Sequence, residues 1–137
     1  MTDQPQLDAR ILEDVADALI YSDRSGTIMR WNRASTVLFG FSADEALGQN
    51  LDLIIPEHLR AAHWKGFEAA IASGNMKLAG RPTLTRALHK SARKLYIEMT
   101  FALVRDSGGA ILGSVAMARD VTERIERERA AKAAQNS

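Results

Sequence analysis

Hydrophobic positions along the chain change period several times, and each change marks an element. Leu7, Ile11, Leu12 and Val15 recur at steps of three and four with polar residues between them, which predicts an amphipathic helix over 5–17. Residues 18–22 and 27–31 are short runs rich in β-branched and aromatic side chains. Asp23-Arg-Ser-Gly26 separates them and suits a tight reversal, so the pair reads as a hairpin. Residues 33–38 follow as one or two helical turns closed by Phe39-Gly40, where glycine is free to take positive φ. Ser42-Ala-Asp-Glu45 has capping-box spacing, with the Ser42 hydroxyl accepting from the Glu45 N–H and the Glu45 carboxylate accepting from the Ser42 N–H. The short helix it opens should stop at Gly48.

The apolar run 51–55 leads to Pro56, placed to open a helix over 57–73. In that helix Leu59, Ala62, His63, Gly66, Phe67, Ala70 and Ile71 form one stripe, which should face the interior with His63 at its centre. The rest reads as strands over 83–90, 93–105 and 110–119. Ser91-Ala92 and Asp106-Ser-Gly-Gly109 join them, short enough for antiparallel pairing. Leu95, Ile97, Met99, Phe101 and Leu103 alternate with Tyr96, Glu98, Thr100, Ala102 and Val104, giving the middle strand an apolar face. From Asp120 onward a polar helix, with Val121 and Ile125 as its large apolar residues, fades into a tail at 134–137.

A length of 137 residues fits one core. The 18 basic and 17 acidic residues leave a formal charge of +1, so no global field draws nucleic acid or an acidic membrane. The absence of cysteine excludes a disulfide frame, a thiolate metal site, a catalytic thiol and a flavin–thiol photocycle. The polar start Met1-Thr-Asp-Gln-Pro-Gln does not read as a secretory signal, and no apolar run reaches the roughly 20 residues of a membrane span. The expectation is a soluble, cytoplasmic protein.

Among candidate groups, His63 carries the most chemistry. A neutral imidazole on an apolar helix face either binds a metal such as haem iron or needs a hydrogen-bond partner, and both readings stay open from the residues alone. His58 lies five residues earlier, off that face, and His89 sits near a hairpin; both are expected at the surface, without a zinc site. Met99 and Phe101 are core residues unless the His63 helix stands off the sheet. Trp64, off the centre of the stripe, either covers a pocket edge or faces a partner. Glu45 belongs to a cap and Glu98 to the polar strand face, and no phosphate loop, nucleophile elbow or kinase signature is present. No enzyme activity is expected.

In order and spacing, Asp23-Arg-Ser-Gly26, Ile28 to Asn32 with its Trp-Asn ending, Leu38-Phe-Gly-Phe-Ser42, Glu45-Ala-Leu-Gly48, Ile54-Ile-Pro56 and Ala118-Arg-Asp-Val-Thr-Glu123 resemble the PAS family. The resemblance runs from about residue 10 to residue 125. It implies an α+β fold, a five-stranded antiparallel sheet with short helices over one face, and a pocket between them. The expected division is an N-terminal flanking helix at 1–17, a PAS core at 18–119 and an output helix with its tail at 120–137.

Within the family, Pro56-Glu-His-Leu-Arg-Ala-Ala-His63 and Phe67 resemble the proximal segment of haem-binding, oxygen-sensing PAS domains of nitrogen-fixation sensor kinases. That resemblance implies haem b held by His63. Phe67, Ile71, Leu95, Ile97, Met99 and Phe101 would line the site, with Met99 and Phe101 on the gas side. Where those kinases place a distal arginine this chain has Thr83, with Arg81 and Arg86 nearby; Arg81 also falls where a second class of haem sensor places a methionine ligand. The expected partners are a second copy, through the N-terminal helix, and a separate output protein such as a kinase or regulator, since no output segment follows. The alternative is a haem-free PAS module that binds a small organic ligand or only another protein.

Overall fold

The computed structural model describes residues 4–76 and 80–136. The first two strands, β1 (Ala18–Asp23) and β2 (Ile28–Trp31), form the expected hairpin. Asp23 makes the reversal: its Oδ1 accepts from Ser25 N, Ser25 Oγ and Thr27 N at 2.7–3.0 Å. These bonds, the Ser25 hydroxyl first, hold its carboxyl below the usual carboxylate range. β3 (Thr83–Leu88), β4 (Lys94–Arg105) and β5 (Ile111–Asp120) complete a five-stranded antiparallel sheet in the order β2-β1-β5-β4-β3. The first and last strands of the chain therefore meet inside the sheet, with the helical segment carrying the chain from one edge strand to the other.

That segment holds α2 (Arg33–Phe39), α3 (Ala43–Ala46), a 3-10 turn (Leu51–Ile54) and α4 (Glu57–Ser73); α1 (Gln4–Asp14) and α5 (Thr122–Gln135) flank the sheet. Asn32 starts α2. Its Oδ1 accepts from Leu19 N at 2.9 Å and from Ser35 N and Ser35 Oγ at 3.0 Å, while its Nδ2 donates to Asp17 O at 3.1 Å. Gly40, at φ 85°, ends the helix, with its N–H bonded to Thr36 O. The capping box of α3 is present in both directions. Lys90 also reaches Glu45, lowering that carboxyl's pKa and tying α3 to the β3–β4 turn.

The core lies on the helix-covered face of the sheet. Ile28, Trp31, Leu38, Phe39, Ala46 and Ile54 meet Ile20, Leu95, Ile97, Met99 and Ala118 in one cluster, and Phe39, Ile28 and Leu95 have no exposed surface. The opposite face is covered in part by α5. Thr122 Oγ1 accepts from Tyr96 N at 2.9 Å, Ile125 is buried, and the Arg129 guanidinium lies 4.9 Å from the Tyr96 ring centroid.

Several boundaries differ from the expected ones. α1 stops at Asp14 because the chain must turn and extend to pair β1 with β5. β3 ends at Leu88, while α5 runs through Gln135, so two residues expected in the tail are helical. His89 is half-buried rather than exposed: its ring lies against Gly40, where an added Cβ would come within 2.6 Å of Cε1. Residues 1–3 and 137 of the two flanking segments lie outside the described residues.

Asn32→Ala should remove a cap and strand both Leu19 N–H and Asp17 C=O, costing about 2–4 kcal/mol. Urea unfolding measures this directly; a loss below about 1 kcal/mol would contradict the role given to Asn32.

Candidate functional site

Pro56 is buried and its φ of −54° is already helical, so α4 begins there without a side-chain cap; Gly74, at φ 73°, ends it. The expected interior stripe faces inward only in part. Only Ala70 is fully buried on α4. Leu59, His63, Phe67 and Ile71 are half-buried, and Ala62 and Gly66 are exposed. α4 runs alongside no other element to the extent that α2 runs along β1. The core cluster draws its helical side from α2, α3 and the 3-10 turn and includes no residue of α4.

Polar tethers along its N-terminal half and at its C-terminus hold α4 instead. Near the N-terminus Arg60 Nε donates to Ile55 O at 3.0 Å, Arg60 Nη2 to Asp52 O at 3.3 Å, and Trp64 Nε1 to Asp52 Oδ1 at 2.8 Å. At the C-terminus Arg105, from the end of β4, donates to Gly74 O.

His63 lies between these tethers in an aromatic group. Its ring meets Trp64 edge-on at 4.6 Å between centroids and lies tilted to Phe67 at 5.9 Å. Nδ1 is buried and has no hydrogen-bond partner. Burial pushes the imidazole pKa below its ordinary 6.5, and the nearby Asp52 carboxylate opposes this only in part. The result is a neutral imidazole with unmet bonding capacity, the state in which histidine ligates a metal.

The sequence-predicted residues fall into two groups. Leu95, Ile97 and Met99 are buried side by side on β4 in the main core, with half-buried Phe101 packed against it. His63 and Phe67 form the α4 aromatic group, and Ile71 is half-buried one turn further along. Two open clefts of about 580 and 200 Å3 lie around α1 and are lined by no residue of α4 or β4. Thr83 stands opposite Met99 across the β3–β4 ladder. Arg86 pairs with Tyr96 and sits 5.5 Å from its ring centroid, on the sheet face opposite Leu95 and Ile97. Arg81 is exposed. Asp52 and Gly26, which fix Trp64, escaped the sequence reading. The one signal available was a lone acid in the apolar run before Pro56.

As a donor, His63 fits a haem iron: it is neutral and its buried Nδ1 is unpartnered, with the Phe67 ring beside it to exclude water.

Comparison with known proteins places this geometry in a family. A protein of Azorhizobium caulinodans with no described function is 31% identical over 121 residues, covering 88% of this chain and 16% of its own. The sensor protein FixL of Bradyrhizobium diazoefficiens is 42% identical over 53 residues, covering 39% of this chain and 10% of its own. The oxygen sensor protein DosP of Escherichia coli is 25% identical over 111 residues, covering 81% and 14%. The chain thus spans less than a fifth of each of these relatives.

Among solved structures, the PAS domain of a Colwellia psychrerythraea protein superposes with a TM-score of 0.75 at 23% identity, covering 88% of this chain and 99% of that one. An RNA-binding light-oxygen-voltage receptor superposes with a TM-score of 0.74 at 24% identity, covering 98% and 38%. The family model for the PAS fold matches residues 6–121. With the strand order, the helical crossover and this match in agreement, the chain belongs to the PAS family.

Proposed function

We propose that this PAS domain is a sensor whose site is centred on His63, that haem b is the group it holds, and that a diatomic gas or a redox change is the signal. The observation that carries the reading is the buried, unpartnered Nδ1 of His63. A buried polar atom left without a partner costs about 1–3 kcal/mol, which a native site tolerates when a ligand meets the group. His63 would hold the iron, Phe67 and Ile71 would flank it, and Leu95, Ile97, Met99 and Phe101 would form the apolar wall. When bound, haem supplies an iron that takes up diatomic gases or changes oxidation state. Thr83, not an arginine, stands opposite Met99, so discrimination among gases would rest on shape and apolarity rather than on a charged donor. Similarity to FixL and to the oxygen sensor DosP supports this reading. The lack of cysteine sets the chain apart from a flavin–thiol photocycle.

The output would pass to a partner such as a kinase or regulator. The helix α1 supplies the surface for a second copy, since Leu7 and Ile11 are 55% and 49% exposed on one face.

Expressed with haem available, the protein should show a Soret band that His63→Ala abolishes or shifts. No band in the haem-supplied wild type would remove the haem reading, and a band unchanged by the substitution would remove His63 as ligand. In the ligand-free protein, the unfolded chain takes up a proton at His63 below pH 6.5 that the folded chain resists. Stability should therefore be intact above pH 6.5 and fall as pH drops, with the urea midpoint declining between pH 7 and 5.5 more in wild type than in His63→Gln. Analytical ultracentrifugation should show a dimer that deletion of residues 1–17 converts to monomer; an unchanged mass would refute α1 as the interface.

A further inference from the structure

The residue after His63 brings a ring of α4 onto the first hairpin. Trp64 Nε1 bonds Asp52 Oδ1 at 2.8 Å, and the far edge of its indole lies on Gly26. A Cβ at Gly26 would overlap Trp64 Cη2 and Cζ3, and Gly26 holds φ +84° in the β1–β2 turn. Glycine is therefore needed there twice, for the turn and for the indole. The turn is also joined to the segment that carries Asp52. Leu51 N donates to Gly26 O at 3.0 Å, Ile28 N to Gln49 O at 2.8 Å and Gly48 N to Ile28 O at 2.8 Å, while Thr27 bridges Asn50. From the turn, β1 pairs along its full length with β5, Ala18 opposite Ala118 through Asp23 opposite Gly113.

The geometry points to Trp64 as a positioning residue: we propose that it couples the His63 site to the β1–β2 turn, so that the state of the site reaches the sheet through this indole rather than through packing of α4 on the strands. The inference rests on the reading of His63 as the sensing site and names its route of regulation. Three features carry it. The rings of His63 and Trp64 are in edge contact at 4.6 Å, so a group held by His63 cannot move the imidazole without meeting the indole. The bond to Asp52 is charge-assisted, and a shift of α4 by about 1 Å would either break it or drag Asp52 and the turn along. The alternative route is weak, because Ala70 is the one fully buried side chain on α4.

Hydrogen exchange read by mass spectrometry on the full chain tests the coupling, with haemin as the probe. Without haemin, amides of 24–29 and 48–52 should exchange roughly tenfold faster in Trp64→Phe and Asp52→Ala than in wild type. Asp52→Asn keeps an acceptor for the indole N–H and should match wild type. With haemin, wild type should change its exchange in these two segments. Trp64→Phe should bind haemin, seen as a Soret band, without that response. Turn exchange in Trp64→Phe equal to wild type, or a haemin response retained in that variant, would overturn the coupling. Should the wild type bind no haemin, the haem reading fails and the ligand-free comparison alone decides the inference, in either direction. If Trp64→Phe does not fold, Asp52→Ala against Asp52→Asn makes the same comparison.

Discussion

Asn32 stands where β2 ends and α2 begins, almost wholly buried, with its amide committed to two backbone N–H groups, one hydroxyl and one carbonyl. Leu19 N and Asp17 O lie where β1 runs past the end of its pairing with β2, so Asn32 supplies the partners a strand would, while Ser35 N is one of the free donors at the head of α2. The bonds fix three things at once: the end of the first hairpin, the direction in which α2 leaves it, and the placement of the chain before β1. Phe39 then enters the core at the far end of α2, its ring tilted against Trp31 at 5.5 Å between centroids, and the helical crossover is confined to one face of the sheet. The rest of the architecture, including where α4 can lie, follows from that exit.

Two kinds of attachment operate on that face. α2, α3 and the 3-10 turn are held by apolar burial, which is non-directional and roughly proportional to area. α4 is held by a few directional contacts, through Arg60 and Trp64 in its N-terminal half and Arg105 at its C-terminus. A helix attached in the first way cannot move without opening a cavity, whereas one attached in the second way can rock about its tethers at little cost. The helix bearing His63 is the one attached in the second way. The sheet, with Leu95 and Ile97 fully buried, is held in the first.

The PAS fold was legible because its determinants are local or periodic. The Asp23 turn, the Ser42 cap, Pro56 at the head of α4 and the alternation in β4 each specify their element with little help from the rest of the chain. The site was legible by halves. His63 stood out as a histidine on an apolar helical stripe, and the β4 residues stood out by alternation. Their relation was not readable, because it depends on what fills the space between α4 and the sheet. Periodicity reported that α4 has an apolar side; it could not report that Ile54, Phe39 and Ile28 would build the core without a residue from it. His89 was misplaced for a similar reason, since burial against Gly40 requires the β3–β4 turn to fold back over α2.

Sequence alone thus settled the order of elements, their caps and turns, and the absence of thiol chemistry, because hydrogen bonds within a few residues and strict alternation are properties of short stretches. Tertiary structure decided how α4 is attached, which arginine turns away from the apolar face, and that Trp64 lies on a turn some forty residues earlier in the chain. These are questions of which surfaces compete for the same space, and that competition is resolved only when the whole chain is packed.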